Sequence, residues 1–243
     1  MLLPLGGGML ALIDISFGNS LLRRLSGNDL KKLGQLEHVH LDLRQTLETA
    51  NNASEHVYFI EDGLASVVSS DAAGAATEIG IIGREGMTGL GLVYGDRQSP
   101  FETFMQIEGA ATRCQTAAVR DLLTTSETAR SLFAAYARAF SIQVATTAVA
   151  NGRSKLEERL ARWLLMVGDR VGPHFHITHE FMAVMLAVRR SGVTLAVQSL
   201  EGRGLIKASR GTINIVDRTG LIQISNGAYG LAEREYGRLV GEF

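Results

Sequence analysis

Residues 186–206 read LAVRRSGVTLAVQSLEGRGLI. Val193, Ala196, Val197 and Leu200 stand at i, i+3, i+4 and i+7, the spacing that lines one side of an α-helix, so a helix beginning near Arg189 buries that side. Gly202 and Gly204 stop it. If the apolar set packs inward, Arg189, Arg190, Ser191, Thr194 and Gln198 point away from the core. Their chemistry is that of a surface which reads nucleic acid: the arginine fork donates two parallel hydrogen bonds to guanine edges or phosphates, and Ser, Thr and Gln serve phosphates or bases.

The flanks agree with that reading. Upstream, Thr178 is placed to cap a short helix, Glu180 sits in its first turn, and Met182, Met185 and Leu186 make its inner face. A turn over 186–188 then separates two helices. Downstream, GLIKASRGTINIVD predicts a hairpin turning at Arg210–Gly211. Two short helices followed by a two-stranded wing form a winged helix-turn-helix, in which the N-terminal end of the second helix enters the groove.

Charge is distributed accordingly. The formal net charge of the 243 residues is -1, but residues 153–218 carry 11 Lys+Arg against 6 Asp+Glu, while residues 1–152 carry 11 against 16. An Arg-Arg pair on an isolated helix is more often a solvated helix start than a contact. The local positive charge, the preceding helix and the wing together outweigh that bland reading.

From Glu37 to about Gln115 the pattern alternates with period two. HVHLDL (His38 to Leu43), HVYFI, LASVVSS, TEIGII, TFMQI and ATRCQ predict strands separated by turns at Asp62–Gly63, Ala73–Gly74 and Glu108–Gly109. Many short strands at this spacing imply an antiparallel barrel or roll. Residues 126–168 hold no proline, and their helical spacing predicts one long helix capped by Ser126, with Phe133, Tyr136, Phe140, Val144 and Thr147 on one stripe. A hinge is expected between Gly168 and Pro173.

The expected fold class is therefore α+β: an arm over 1–20, an antiparallel β-roll over 21–125, a long helix with its hinge over 126–168, and a winged helix-turn-helix with a C-terminal tail over 169–243. The single cysteine, Cys114, excludes an intrachain disulfide and a four-thiolate cluster, which fits a cytoplasmic setting, and its place in an alternating strand predicts a buried, inert thiol. The arm lacks the basic flank of a signal peptide and is too short to span a bilayer. His174, His176 and His179 resemble a metal tract, yet no cysteine or acid cluster completes a shell; His38 and His40 alternate on one strand face and are read as ordinary histidines, so no metal and no cofactor is expected.

ITHEFMAVMLAVRRSGVTLAVQSLEGRGLIKASRGTINI resembles the winged helix-turn-helix of the Crp/Fnr family of transcription regulators. HVYFIEDGLASVV and IGREGMTGLGLVYG, followed by a long helix and then the reader, repeat that family's order. The resemblance implies a cyclic-nucleotide-binding-like, cupin-like roll and a bacterial homodimer joined along the long helices, so Phe133, Tyr136, Phe140 and Val144 become the expected dimer seam. It implies double-stranded DNA with a two-fold related site as partner, with RNA polymerase beside it. Arg190 matches the arginine that reaches a guanine and Thr178 a phosphate-contacting position, with Arg189, Thr194, Gln198 and the wing's Arg210 as further contacts. Ser191 stands where the family often has a glutamate and Leu195 where some members have a second arginine, which leaves the DNA word open.

In members that bind cyclic AMP, a glycine-glutamate pair holds the ribose and an arginine-serine pair the phosphate. Here the effector-pocket positions are Gly89, Leu90, Arg97 and Ser99: Leu90 replaces the acid, and Ser99–Pro100 falls where the second pair belongs. Leucine accepts no hydrogen bond and proline offers no N–H, so the chain is expected to be independent of cyclic nucleotide, with a different small-molecule effector left open. A second hypothesis is a ligand-sensing roll that acts through protein contacts without specific DNA binding. No nucleophile elbow, metalloprotease helix or phosphate loop is present, so an enzyme is not expected.

Overall fold

The computed structural model describes residues 17–72 and 74–242. Most of the expected arm and Ala73 of the expected turn lie outside the described residues. Two short helices, α1 (Ser20–Arg24) and α2 (Gly27–Lys32), open the described chain. The roll follows as β1 (Glu37–Leu41), β2 (Thr46–Glu48), β3 (His56–Ser70), β4 (Ala76–Ile82) and β5 (Glu102–Gln115), antiparallel in the order β1-β5-β3-β4 with β2 also on β5. A single 3₁₀ turn, Leu90–Tyr94, lies between β4 and β5.

Two expected turns are not turns. HVYFI and LASVVSS belong to the one strand β3, and TFMQI and ATRCQ to the one strand β5. Asp62–Gly63 and Glu108–Gly109 are instead the bend in which the two strands cross, with the register slipping between Ile60, Asp62, Leu64 and Ala65. A Cβ on Gly63 would lie 2.6 Å from the Glu108 carbonyl oxygen, and one on Gly109 would sit closer still to that of Asp62. Each glycine is there so that the other strand's backbone can approach, which is a bulge signal that imitates a turn signal in sequence.

A helix α3 (Thr116–Thr125) precedes the one expected over 126–168, which is itself two, α4 (Glu127–Arg153) and α5 (Leu156–Val171). Ser126 caps α4 as expected, its side chain accepting from the Ala129 N–H. The break comes at Ser154–Lys155, both extended, where the Glu158 carboxylate accepts the Lys155 N–H and starts a new helix. Gly168, at the start of the expected hinge, is inside α5, which ends at Val171 with Gly172 at φ 88°.

The C-terminal half comprises β6 (His174–His176), α6 (His179–Met185), α7 (Arg190–Gly202), β7 (Ile206–Ser209), β8 (Thr212–Ile215), α8 (Arg218–Ile224) and α9 (Leu231–Leu239). The wing is three-stranded, β6-β8-β7, and turns at Arg210–Gly211, both at positive φ. One apolar core joins the halves: Leu64, Val68 and Ile81 of the roll cluster with Leu160, Trp163 and Leu164 of α5 and with Met182 and Met185 of α6.

Phe133 and Tyr136, expected on a dimer seam, are buried within the single chain. They are 0% and 2% exposed; Phe133 packs on Phe59 of β3 and Tyr136 beside Met87 and Tyr236, because the apolar stripe of α4 faces its own roll. Phe140 and Val144 are half-buried. The α4 face left open carries Ala134, Arg138, Ser141, Ala145 and Ala148, at alternating steps of four and three. Although α4 is long and apolar enough to cross a membrane, it packs along the roll and α9.

Candidate nucleic-acid interface

Thr178 caps α6, accepting the Phe181 N–H, and Val193, Ala196, Val197 and Leu200 of α7 are all buried against α5 and α6. That packing leaves Arg189, Arg190, Ser191, Leu195 and Gln198 exposed along one face, starting at the helix N-terminus. The helix dipole adds a weak preference for phosphate at this end. Arg190 Nε lies 3.0 Å from Glu180 Oε1, so α6 holds this arginine over the outer face; both side chains are more than half exposed. Leu195, 68% exposed, presents an apolar surface suited to a thymine methyl.

Thr194 is placed differently from the others. Its hydroxyl donates to the Arg190 carbonyl and meets His179 Nδ1 at 3.0 Å, so it ties α7 to α6 and is half-buried. Arg210 is exposed at the wing tip, and between wing and α7 runs a groove of about 230 Å³ lined by Thr194, Gln198, Arg210 and Thr212. Glu201 accepts the Ala208 N–H and fixes the wing's distance from α7. Arg162 and Arg170, counted in the local positive charge, are buried and contribute nothing to the outer surface.

Behind the reader, α5 and α6 rest on β3 and β4 of the roll. Glu78 of β4 is buried there and accepts from Trp163 Nε1 at 2.7 Å and from Ser66 Oγ at 2.6 Å; Ser66 Oγ also lies 3.3 Å from Met185 Sδ. Burial pushes this carboxyl up to about 7, against the pull of its two donors and of Arg162 and Arg170. Arg170 forms a second buried contact with the roll, its Nε 2.7 Å from Glu85 Oε1.

Of the expected effector positions, Gly89, Arg97 and Ser99 line one small pocket together with Glu48, while Leu90 lines the larger cavity beside it. Gly89 takes a left-handed conformation before the 3₁₀ turn, but its N–H donates to Glu48 Oε1 at 3.0 Å, and Thr103 Oγ1 donates to Glu48 Oε2 at 2.8 Å. A carboxylate of the chain itself thus occupies the Gly89 N–H, at the position expected to face a ribose, and burial raises its pKa. Arg97 is exposed on the loop. Beside it lies a cavity of about 370 Å³ between roll and α4, lined by Ile79, Ile82, Leu90, Phe101, Phe140 and Val144 among others, with Ser99 and Pro100 at its side. Glu48 was missed in the sequence because its strand, β2, is three residues long and shows no periodicity.

Among the described residues no group of three His, Cys, Asp or Glu lies close enough to hold a metal ion. Cys114 is buried, and that burial pushes its thiol up to about 12, the state of an inert thiol.

Residues 158–224 match the family model described as the Crp-like helix-turn-helix domain. A comparison with curated proteins finds no match. Among solved structures, a Crp/Fnr-family protein from Eubacterium rectale is similar over 85% of this chain and 98% of its own, with 18% identity and a TM-score of 0.67. FixK2 from Bradyrhizobium japonicum is similar over 78% and 97%, with 13% identity and a TM-score of 0.68. A CRP-family transcriptional regulator from Thermus thermophilus is similar over 79% and 98%, with 17% identity and a TM-score of 0.65. At these identities the likeness establishes the fold: a cyclic-nucleotide-binding-type roll joined to a Crp-like reader.

Proposed function

We propose that this chain, with the fold of the Crp/Fnr regulators and a Crp-like helix-turn-helix at 158–224, is a sequence-specific DNA-binding transcription regulator that acts as a homodimer in the cytoplasm. The observation that carries the reading is the division of α7: one side buried through Val193, Ala196, Val197 and Leu200, the other exposing Arg189, Arg190, Ser191 and Gln198 from the N-terminus onward. Arg190 reads a base, while Arg189, Arg210 and Thr178 contact phosphate; Thr194 positions the reading helix rather than touching DNA. The protein works by binding, with DNA, a second copy and RNA polymerase as partners, and not by catalysis.

The second copy packs along Ala134, Arg138, Ser141, Ala145 and Ala148. Four of these five side chains are small and stand in a heptad-like alternation that lets two α4 helices come close, and the face is largely open within one chain, with Arg138 long enough to reach past its edge. Two readers then face successive major grooves roughly 34 Å apart. The roll takes no cyclic nucleotide, since Glu48 holds the Gly89 N–H; an effector, where one acts, is an uncharged apolar molecule in the roll–α4 cavity.

The deciding experiment selects bound duplexes from a random pool with purified protein and no added ligand. A two-fold related site, affinity that falls with salt, and loss of preference at one base position in Arg190→Ala are expected, at about 1–3 kcal/mol for that position. Equal affinity for all duplexes, unaltered by Arg190→Ala, overturns the reading.

A further inference from the structure

Past the wing, α8 and α9 turn back, and the segment from Arg218 to Glu242 touches the reader side, α4 and the roll in succession. On the reader side, Arg218 pairs with Asp169 of α5 at 2.7 Å, Tyr229 Oη donates to Asp169 Oδ2 at 2.7 Å, and Arg162 Nε donates to the Ala228 carbonyl at 3.0 Å. Next, α9 lies on α4, with Ala232 and Tyr236 against Tyr136, Ala139 and Gln143. Tyr236, 6% exposed, donates to the Glu85 carbonyl of the roll at 2.8 Å. Finally Arg24 of α1, at the roll's far end in sequence, donates to the Val240 carbonyl at 2.9 Å and the Glu242 carbonyl at 2.7 Å, while Leu239 and Val240 pack on the roll's second core.

This geometry bears on how the reader can move. The chain passes from α4 into the reader through the extended pair Ser154–Lys155, a break at which a body can swing, while the reader also rests on the roll through the shared core and the Trp163–Glu78 and Arg170–Glu85 contacts. An attachment at the far end of the reader, past the wing, adds a separated restraint to that seat. The matched reader domain ends at residue 224, so α9 is an addition beyond it, and its contacts lie on α4 and the roll.

We propose that the segment from Arg218 to Glu242 is a strap, a second attachment that locks the reader to the roll and keeps the Ser154–Lys155 break from acting as a hinge. In the locked arrangement Arg189, Arg190, Ser191 and Gln198 are open to solvent, so the strap holds the reader in a binding-competent position without an effector. It rests on the reading of the chain as a DNA-binding regulator and adds the device that sets its active state. A reader released from the strap samples other orientations, and its apparent affinity falls by the fraction of time spent in the competent one.

The test compares the intact protein with a chain ending at Tyr229 and, in the full-length chain, with Tyr236→Ala. Amide exchange over residues 151–158 is expected to accelerate at least tenfold in both variants while protection across β3 and β5 is kept, which a general loss of stability would not spare. Affinity for the selected duplex is expected to fall at least tenfold, with the base preference retained. Should the shortened chain fail to fold, Tyr236→Ala carries the same measurements. Exchange at the break within twofold of the intact protein overturns the strap whether or not duplex binding is seen, and faster exchange with unchanged affinity overturns its role in setting the reader. Absence of any duplex preference in the intact protein instead removes the underlying reading and leaves the exchange measurement to decide the strap.

Discussion

Replacing Glu78 by glutamine is expected to abolish a large share of the pH dependence of stability. The carboxyl is buried between β3, β4, α5 and α6, and its pKa rises from 4.5 to about 7 on folding. Below pH 4.5 it is protonated in both states and stability is full; as pH rises towards 7 the unfolded chain ionises while the folded one resists. Above about pH 7 the folded protein carries a buried charge that costs about 3 kcal/mol relative to acid pH. Trp163 Nε1 donates to one oxygen and Ser66 Oγ to the other, and two neutral donors do not offset the cost of burying the charge. Glutamine keeps the oxygen that accepts from Trp163 at every pH, and its amide can donate to the Ser66 hydroxyl, which has Met185 Sδ at 3.3 Å as its own acceptor. Urea unfolding at pH 5 and pH 8 should show the wild type losing about 2.5 kcal/mol more than Glu78→Gln across that interval, or a difference of roughly 5–10 °C in Tm for a chain of this size. Parallel pH profiles for the two proteins would refute the assignment of the buried charge to Glu78.

Phe133→Ala should cost about 3–5 kcal/mol in urea unfolding, because the ring is fully buried on Phe59, and should leave the dimer's sedimentation unchanged. A shift in dimer dissociation without loss of stability would return Phe133 to the seam. Conversely, Ala145→Glu is expected to yield a folded monomer by sedimentation, since it sets two carboxylates facing each other across the open α4 face; a stable dimer in this variant places the seam elsewhere. Gly109→Ala drives a Cβ into the Asp62 carbonyl and should destabilise by about 1–3 kcal/mol in thermal unfolding, with near-wild-type stability counting against the strand crossing. Glu180→Gln removes the exposed partner that Arg190 must give up to reach DNA, and should tighten duplex binding by no more than about 1 kcal/mol, or fivefold, with weaker binding refuting the competition.

The reader was the most legible part, and the reason is local. A helix buried on one side writes its burial as i, i+3, i+4, i+7, and the capping threonine, the Arg210–Gly211 turn and the stopping glycines each act within a few residues. The roll was legible as alternation but not as topology. Asp62–Gly63 and Glu108–Gly109 look like turns in isolation, and only their mutual contact makes them a bend in two long strands. The strap also left a signal, since Ala232, Tyr236 and Leu239 stand at i, i+4 and i+7, but that periodicity names a buried face and not what buries it.

By itself the sequence determined the two helices of the reader, the alternation over 37–115, the helical texture of 126–168 and where the positive charge lies, and set leucine and proline at the positions where the family it resembles holds a nucleotide with an acid and an arginine-serine pair. These are properties of a segment and its neighbours. Tertiary structure alone decided which face of α4 meets the roll and which is left open, because the apolar stripe records burial without recording the partner. It also decided that Glu48 holds the Gly89 N–H, that Glu78 is sealed beneath the reader, and that residues 218–242 return to the roll. Each of these joins groups dozens of residues apart or more, and no local period encodes such a distance.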